Sequence, residues 1–226
     1  GSNSGAAYVF RTTDGDATYI EVAKLTAADA ASGDEFGTSV AIAGDTIVVG
    51  ARYDDDGGYQ SGSVYVFRTS DGGATYDQVA KLTAADAAAS DYFGVSVAIT
   101  GDSVVVGAYY KSSRRGAAYV FRTDDGGATY AQVAKLTASD ASSYNYFGRS
   151  VAIYGTTVVI GAYEHERGPG SVYVFEMPAP TAQPTRLPTT ALPTRWPTLS
   201  SQPTLQSTTL VPVVRPTPRP TPRPVP

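Results

Sequence analysis

Apolar and polar residues alternate with a period of two through most of the first 177 residues. Val40-Ala-Ile-Ala, the pair Gly44-Asp45 and Thr46-Ile-Val-Val read as two strands joined by a tight turn. Ser63-Val-Tyr-Val-Phe-Arg, Asp71-Gly-Gly and the run from Tyr76 to Leu82 read as a second hairpin. β-Branched and aromatic residues suit pleated strands, and the glycines supply the positive φ that such turns need. The alanine-rich runs that follow, such as Ala84-Ala-Asp-Ala-Ala, are too short to stand as helices and predict connecting loops with at most one helical turn.

This pattern repeats. Tyr-Val-Phe begins at Tyr8, Tyr65, Tyr119 and Tyr173. After the first three, Lys-Leu-Thr follows at an offset of 16, Phe-Gly at 28 and Gly-Ala at 42. All length variation lies between Gly-Ala and the next Tyr-Val-Phe, giving periods of 57, 54 and 54. Each unit therefore holds four short antiparallel strands: one from Phe36, two from Thr46, three from Ser63 and four from Tyr76. Four strands per repeat of this length predict an all-β chain of β-propeller blades. Residues 5–26 supply a half blade, 36–84 and 93–138 two whole ones, and 147–177 three strands of another, or about three and a quarter blades. A propeller typically closes with four to eight. The expectation is a partial β-propeller: a portion of a longer ring, or a piece completed by further copies, whose uncapped faces (Val40, Ile42, Val172, Val174) favour self-association.

Phe36-Gly37-x-Ser39-Val40-Ala41 with Gly50-Ala51, repeated twice, resembles the FG-GAP repeat of integrin α-subunit propellers, and is closer still to the many uncharacterised FG-GAP proteins of microbes and algae. The resemblance covers about residues 5–177 and implies a propeller of adhesion or recognition type. The final proline of the motif is replaced by Arg52, Tyr109 and Tyr163. In calcium-binding members an Asp-x-Asp-x-Asp loop joins strands one and two; here only Gly44-Asp45, Gly101-Asp102 or Gly155-Thr156 does, too short to wrap the 6–8 oxygens calcium takes. No calcium site is carried over. Thr69-x-Asp71-x-Gly73-x-Thr75-Tyr76 and its counterpart Thr123 to Tyr130 resemble the Asp-box of sialidase-type propellers, a structural turn away from the active site.

Composition removes most enzyme classes. There is no Cys, so thiolate metal sites and cysteine nucleophiles are excluded, and the lone His165 excludes any two-imidazole site. Formal net charge is −4, which leaves no basic footprint for nucleic acid, and no apolar run is long enough to span a membrane as a helix. Gly37-x-Ser39, Gly94-x-Ser96 and Gly148-x-Ser150 lack the closing glycine and histidine partner of a nucleophile elbow and read as packing residues. Glu164 and Glu166 sit two apart in one loop with no recurring subsite beside them. Asp29, Asp86 and Asp140 share a register, as do Asp34, Asp91 and Asn145, and read as loop caps. Asp54, Asp55 and Asp56 form the only acid run, a solvated loop by default and a weak cation site at most. No cofactor is expected and no catalytic residue is assigned.

What differs between blades points elsewhere. Alternating strand directions open the two–three and four–one loops on one face. The former carry Arg52, Tyr53 and Tyr59; Tyr109, Tyr110, Arg114 and Arg115; and Tyr163, His165 and Arg167, and the latter add Tyr92, Tyr144 and Tyr146. Tyrosine with mixed charge gives large contact area at low entropy cost, the chemistry of a recognition surface. After Met177 the composition changes: residues 178–226 hold 14 of the 15 prolines, 11 threonines and five arginines with no acid, against 12 basic and 21 acidic residues in 1–177. Such a tail predicts a disordered or polyproline stalk, open to O-glycosylation. The sequence thus predicts a non-catalytic extracellular adhesion or recognition module, secreted or on the cell surface, binding a protein or glycan. The alternatives are the scaffold propeller of a larger secreted hydrolase and a purely structural spacer.

Overall fold

The computed structural model describes residues 2–12, 15, 18–164 and 168–178. All of them fall in the first of the two units into which the chain divides, residues 1–183. His165, Arg167 and the proline-rich stalk from residue 179 lie outside the described residues.

Thirteen strands are described, in four antiparallel sheets. β1 (Ala7–Thr12) pairs with β2 (Tyr19–Leu25). The first full sheet runs in the order β3 (Phe36–Ala43), β4 (Thr46–Ala51), β5 (Ser63–Arg68), β6 (Asp77–Leu82). The second is β7 (Ser96–Thr100), β8 (Ser103–Ala108), β9 (Ala117–Arg122), β10 (Ala131–Leu136). The last is β11 (Phe147–Tyr154), β12 (Thr157–Ala162), β13 (Ser171–Glu176). This is a partial β-propeller, strand for strand as the repeat predicts. The alanine-rich segments are loops without helix.

The core lies between sheets, because the two middle strands of each blade are apolar on both faces. Val48, Val64 and Val66 meet Val104, Val106 and Tyr119 of the next blade. Val105, Ala118 and Val120 meet Val158 and Ile160 in turn. The repeat motifs serve this stacking. Phe36, Phe93 and Phe147 each pack edge-on against the tyrosine and phenylalanine of their own Tyr-Val-Phe, with ring centroids 5.3–6.0 Å apart. Gly107 lies so close to the carbonyl oxygen of Gly148 in the next blade that an added Cβ would overlap it. The Ser96 hydroxyl donates to that same oxygen at 2.9 Å, as Ser39 does to Gly94 at 2.7 Å. The serines are therefore tied into packing, as expected.

The opposite face is built from near-identical turns. The Asp71 carboxylate accepts hydrogen bonds from the amides of Ala74 and Thr75 and from the hydroxyls of Thr69 and Thr75, and Asp125 does the same one blade on. Bonds from the threonine hydroxyl and amide hold both carboxyls well below the usual range. Arg11 donates to the Gly72 carbonyl and Arg68 to that of Gly126, so each of these two blades grips the turn of its successor.

At the two ends the stacking stops. Val40 and Ile42 on β3 are 60% and 62% exposed, and Val172 and Val174 on β13 are 68% and 64% exposed. The counterparts of Val172 and Val174, among them Val64, Val66 and Val120, are fully buried between blades, and those of Val40 and Ile42 are buried at Val97 and half-buried at Ile99, Val151 and Ile153. No strand of the first sheet pairs with the last.

Candidate recognition face

The two–three and four–one loops lie side by side, and their backbones are paired to one another. The amides of Tyr92 and Phe93 donate to the carbonyls of Gln60 and Ser61 at 3.3 and 2.9 Å; those of Tyr146 and Phe147 donate to Arg114 and Arg115 at 2.9 and 3.2 Å. The residue before each Phe-Gly is left-handed: Glu35, Tyr92 and Tyr146 have φ of 54°, 56° and 54°. For a residue with a bulky side chain this costs roughly 1–2 kcal/mol, a strain that glycine or asparagine would largely avoid. Two of the three positions carry tyrosine, and both rings are engaged on the loop face.

There they join a ladder across three blades. Tyr53 meets Tyr92 at 5.2 Å between centroids, Tyr92 meets Tyr110 at 4.6 Å and Tyr109 at 5.8 Å, and these two meet each other at 4.7 Å. Tyr109 and Tyr110 both approach Tyr146 at 5.8 Å; Tyr146 touches Tyr144 at 6.3 Å and stacks on Tyr163 at 5.0 Å. Guanidinium groups sit over these rings: Arg52 on Tyr53 at 4.5 Å, Arg114 on Tyr110 and Tyr144 at 4.9 and 5.0 Å, and Arg149 on Tyr109 at 5.2 Å. Aromatic pairs contribute about 0.5–1.5 kcal/mol each and exposed cation–π contacts about 0.5–1 kcal/mol, enough to offset the strained backbone. Burial, then the neighbouring phenols, raise the pKa of Tyr92 and Tyr109, so these hydroxyls stay protonated donors at neutral pH. Slight desolvation opposes the charge on Arg114, but the surrounding tyrosines outweigh it and raise its pKa.

The predicted face residues therefore come together in large part. Tyr53, Tyr109, Tyr110, Tyr163, Arg52 and Arg114 belong to the ladder. Tyr59 is exposed beside it and Arg115 is exposed at its rim. Sequence reasoning missed Arg149, which lies on β11 two residues after Phe147 and has no basic counterpart at Thr38 or Val95.

The acid run is the solvated loop expected at Asp55 and Asp56, which are exposed, but not at Asp54. Asp54 is 4% exposed and accepts hydrogen bonds from the hydroxyls of Ser63 and Tyr65, both at 2.8 Å. Lys81 pairs with Asp29 at 2.6 Å, with Asp54 at 3.0 Å and with Asp56. The carboxylates of Asp29, Asp54 and Asp56 are close enough together to hold a metal ion, but the Lys81 ammonium already lies among them. Asp55 stands apart and accepts from the Gln60 amide at 2.6 Å. Burial resists the charge on Asp54 and Asp29, yet the hydrogen bonds they accept outweigh it and hold both below the usual carboxylate range.

In the next blade the polarity is exchanged. Lys111 occupies the register of Asp54 and is buried, pairing with Asp91 at 2.6 Å and with Asp86, which also takes Lys135 at 2.6 Å and the Tyr119 hydroxyl at 2.8 Å. Asp34 and Asp91 cap the amides of Ala31 and Ala88 as expected, whereas Asp29, Asp86 and Asp140 serve the tyrosine hydroxyls of Tyr-Val-Phe instead.

The family model described as FG-GAP repeat matches residues 19–67, 76–121 and 130–175. The chain belongs to the FG-GAP repeat family. Each FG-GAP match takes strand four of one blade with strands one to three of the next, so it spans the junction closed by Phe-Gly and Gly-Ala. FG-GAP propellers are often involved in adhesion or recognition and are typically non-catalytic, and such repeats occur in extracellular and surface proteins. No curated protein matches the chain. Among solved structures, the crystal structure of Saccharomyces cerevisiae Sqt1 is similar over 77% of this chain and 40% of that one, at 11% identity and a TM-score of 0.46. The chain thus spans about two-fifths of that structure's length. No helix among the described residues is long and apolar enough to cross a membrane.

Proposed function

We propose that this FG-GAP chain is a non-catalytic recognition module of adhesion type, acting outside the cell and binding a protein or glycan through its tyrosine face. The observation that carries the reading is the unbroken ladder from Tyr53 to Tyr163, built across three blades on strained backbone. Strain retained at a surface position is a reason to look for function there. Tyrosine and arginine dominate the energetic centres of interfaces, and both are concentrated here. The other face, as far as it is described, carries repeated turns in which Asp71 and Asp125 are satisfied by their own loop. Against catalysis stands the engagement of the recurring serines: Ser39 and Ser96 donate to backbone carbonyls of the next blade.

The test is a glycan and extracellular-protein array probed with the chain, followed by affinity measurements on Tyr109→Ala and Tyr163→Ala. A specific ligand whose affinity falls about tenfold or more in these variants supports the proposal. A ligand bound equally well by both variants sinks it. Turnover of fluorogenic glycosides would favour the hydrolase reading, and arrays without hits the spacer.

A further inference from the structure

Three arginines of the tyrosine face are left without a carboxylate among the described residues, although the unit they belong to is acidic. Residues 1–177 hold 21 acidic and 12 basic residues. Arg52 is neutralised by Glu35, at 2.8 Å. Arg114, Arg115 and Arg149, by contrast, pair with no carboxylate among the described residues, although two of them lie directly over tyrosine rings. Lys111, beneath them, is spent on Asp91 and Asp86. In an acidic protein, guanidiniums that reach the surface with no carboxylate to pair with are the groups left over for an anion. Their planar fork suits carboxylate and sulfate oxygens in a bidentate arrangement.

The shape narrows the ligand further. The rings succeed one another at 4.6–6.3 Å over three blades, so the surface is a track of flat apolar platforms with charges along it. A chain of ring-shaped units with spaced charges fits it: apolar ring faces stack on the tyrosines while the acid groups meet the guanidiniums. An extended peptide held by its main chain fits less well. The amides of Tyr92, Phe93, Tyr146 and Phe147 along this track already donate to neighbouring loop carbonyls, so few backbone groups remain for strand addition.

We infer that the ligand of this face is an acidic polysaccharide, a sugar chain carrying carboxylate or sulfate groups, with Arg114 and Arg149 as the anion-binding residues and Tyr109 and Tyr163 as stacking platforms. The inference rests on the recognition reading above.

The experiment measures binding of the full chain to heparin, to polygalacturonate and to neutral dextran by surface plasmon resonance, with polyglutamate and oligothymidylate as non-sugar polyanions. The expected result is binding to heparin or polygalacturonate, weakened as salt rises, with dextran, polyglutamate and oligothymidylate at least tenfold weaker. Heparin alone points to sulfate, and polygalacturonate alone to carboxylate; either supports the proposal. The double variant Arg114→Ala/Arg149→Ala should lose about tenfold or more, while Arg114→Lys/Arg149→Lys, which keeps charge without the fork, should recover part. Unchanged thermal midpoints in both variants show that the fold is intact. Dextran binding insensitive to the arginine variants overturns the acidic assignment while leaving the recognition face standing. Equal binding of polyglutamate or oligothymidylate overturns the saccharide assignment. Absence of binding to every probe overturns the proposal. Polysaccharide binding that survives Tyr109→Ala and Tyr163→Ala fails the recognition face itself.

Discussion

Replacing Gly107 by alanine asks whether the Gly-Ala signature exists to let one blade touch the next. Gly107 lies on β8 with ordinary backbone, so alanine meets no conformational barrier there. In isolation the exchange would stabilise by about 0.4–1 kcal/mol through a stiffer unfolded chain. The added methyl, however, collides with the Gly148 carbonyl and the Ser96 hydroxyl. Separating the blades to admit it costs roughly 1–3 kcal/mol in overpacking, and losing the Ser96–Gly148 hydrogen bond about 0.5–1.5 kcal/mol more. The net expectation is a loss of about 2 kcal/mol, or roughly 4–8 °C in the thermal midpoint of a unit this size. Gly161 is the control. It holds the same register on β12, but the atoms nearest its missing Cβ belong to Ser150 in its own sheet, and no further blade is among the described residues. Gly161→Ala should therefore be neutral or slightly stabilising, since a serine side chain can turn away. Thermal unfolding followed by circular dichroism compares the two. Equal losses in both variants, or a smaller loss at Gly107, would refute the argument from blade contact.

Three further outcomes are expected. Lys81→Met strands the buried Asp54 among Asp29 and Asp56; with both of those half exposed, the loss is about 2–3 kcal/mol by urea denaturation, and a shift under 1 kcal/mol would show that the cluster is solvated after all. Because the folded-state pKa values of Asp29, Asp54 and Asp86 lie below the ordinary value of about 3.9, their contribution is intact above that pH and lost as pH falls below it through the folded values; the thermal midpoint should hold from pH 7 to about 5 and drop below 4, and a drop starting at pH 6 would contradict this. Light scattering should show mass rising with concentration, because Val40, Ile42, Val172 and Val174 are exposed where their counterparts in the neighbouring blades are buried or half-buried; a compact monomer at high concentration would show that the faces are covered.

The strands were legible because period-two alternation and fixed offsets both survive in every repeat, and the Asp-box turns because their polar groups bond locally. The tyrosine face was legible as a face, since strand direction alone places Tyr53, Tyr92 and Tyr109 on one side. What the alternation could not carry is backbone handedness: nothing in Tyr92-Phe93 or Tyr146-Phe147 announces a left-handed tyrosine. Nor could it carry contacts set by stacking. Asp29 and Lys81 are separated by 52 residues, and only the folded blade brings them together. Two signals were nevertheless present. Opposite charges at one register, Asp54 and Lys111, mark a polar position that each blade balances differently. Arginine follows Tyr-Val-Phe at Arg11, Arg68 and Arg122, while Glu176 follows the last, where no further turn is described to grip.

That exchange of charge also bears on how the repeats can be shuffled. Asp54 shares Lys81 with Asp29, and Lys111 is held by Asp91 and Asp86. The surrounding registers carry the same charges in both blades: Asp29 with Asp86, Asp34 with Asp91, Lys81 with Lys135. A crossover that cuts between the four–one loop and the two–three loop therefore offers Lys111 the same two carboxylates in the earlier blade, and Asp54 the same ammonium in the later one. The buried charge in this column can change sign while every neighbour in the repeat stays fixed, so blades of this kind can be recombined without a compensating exchange elsewhere.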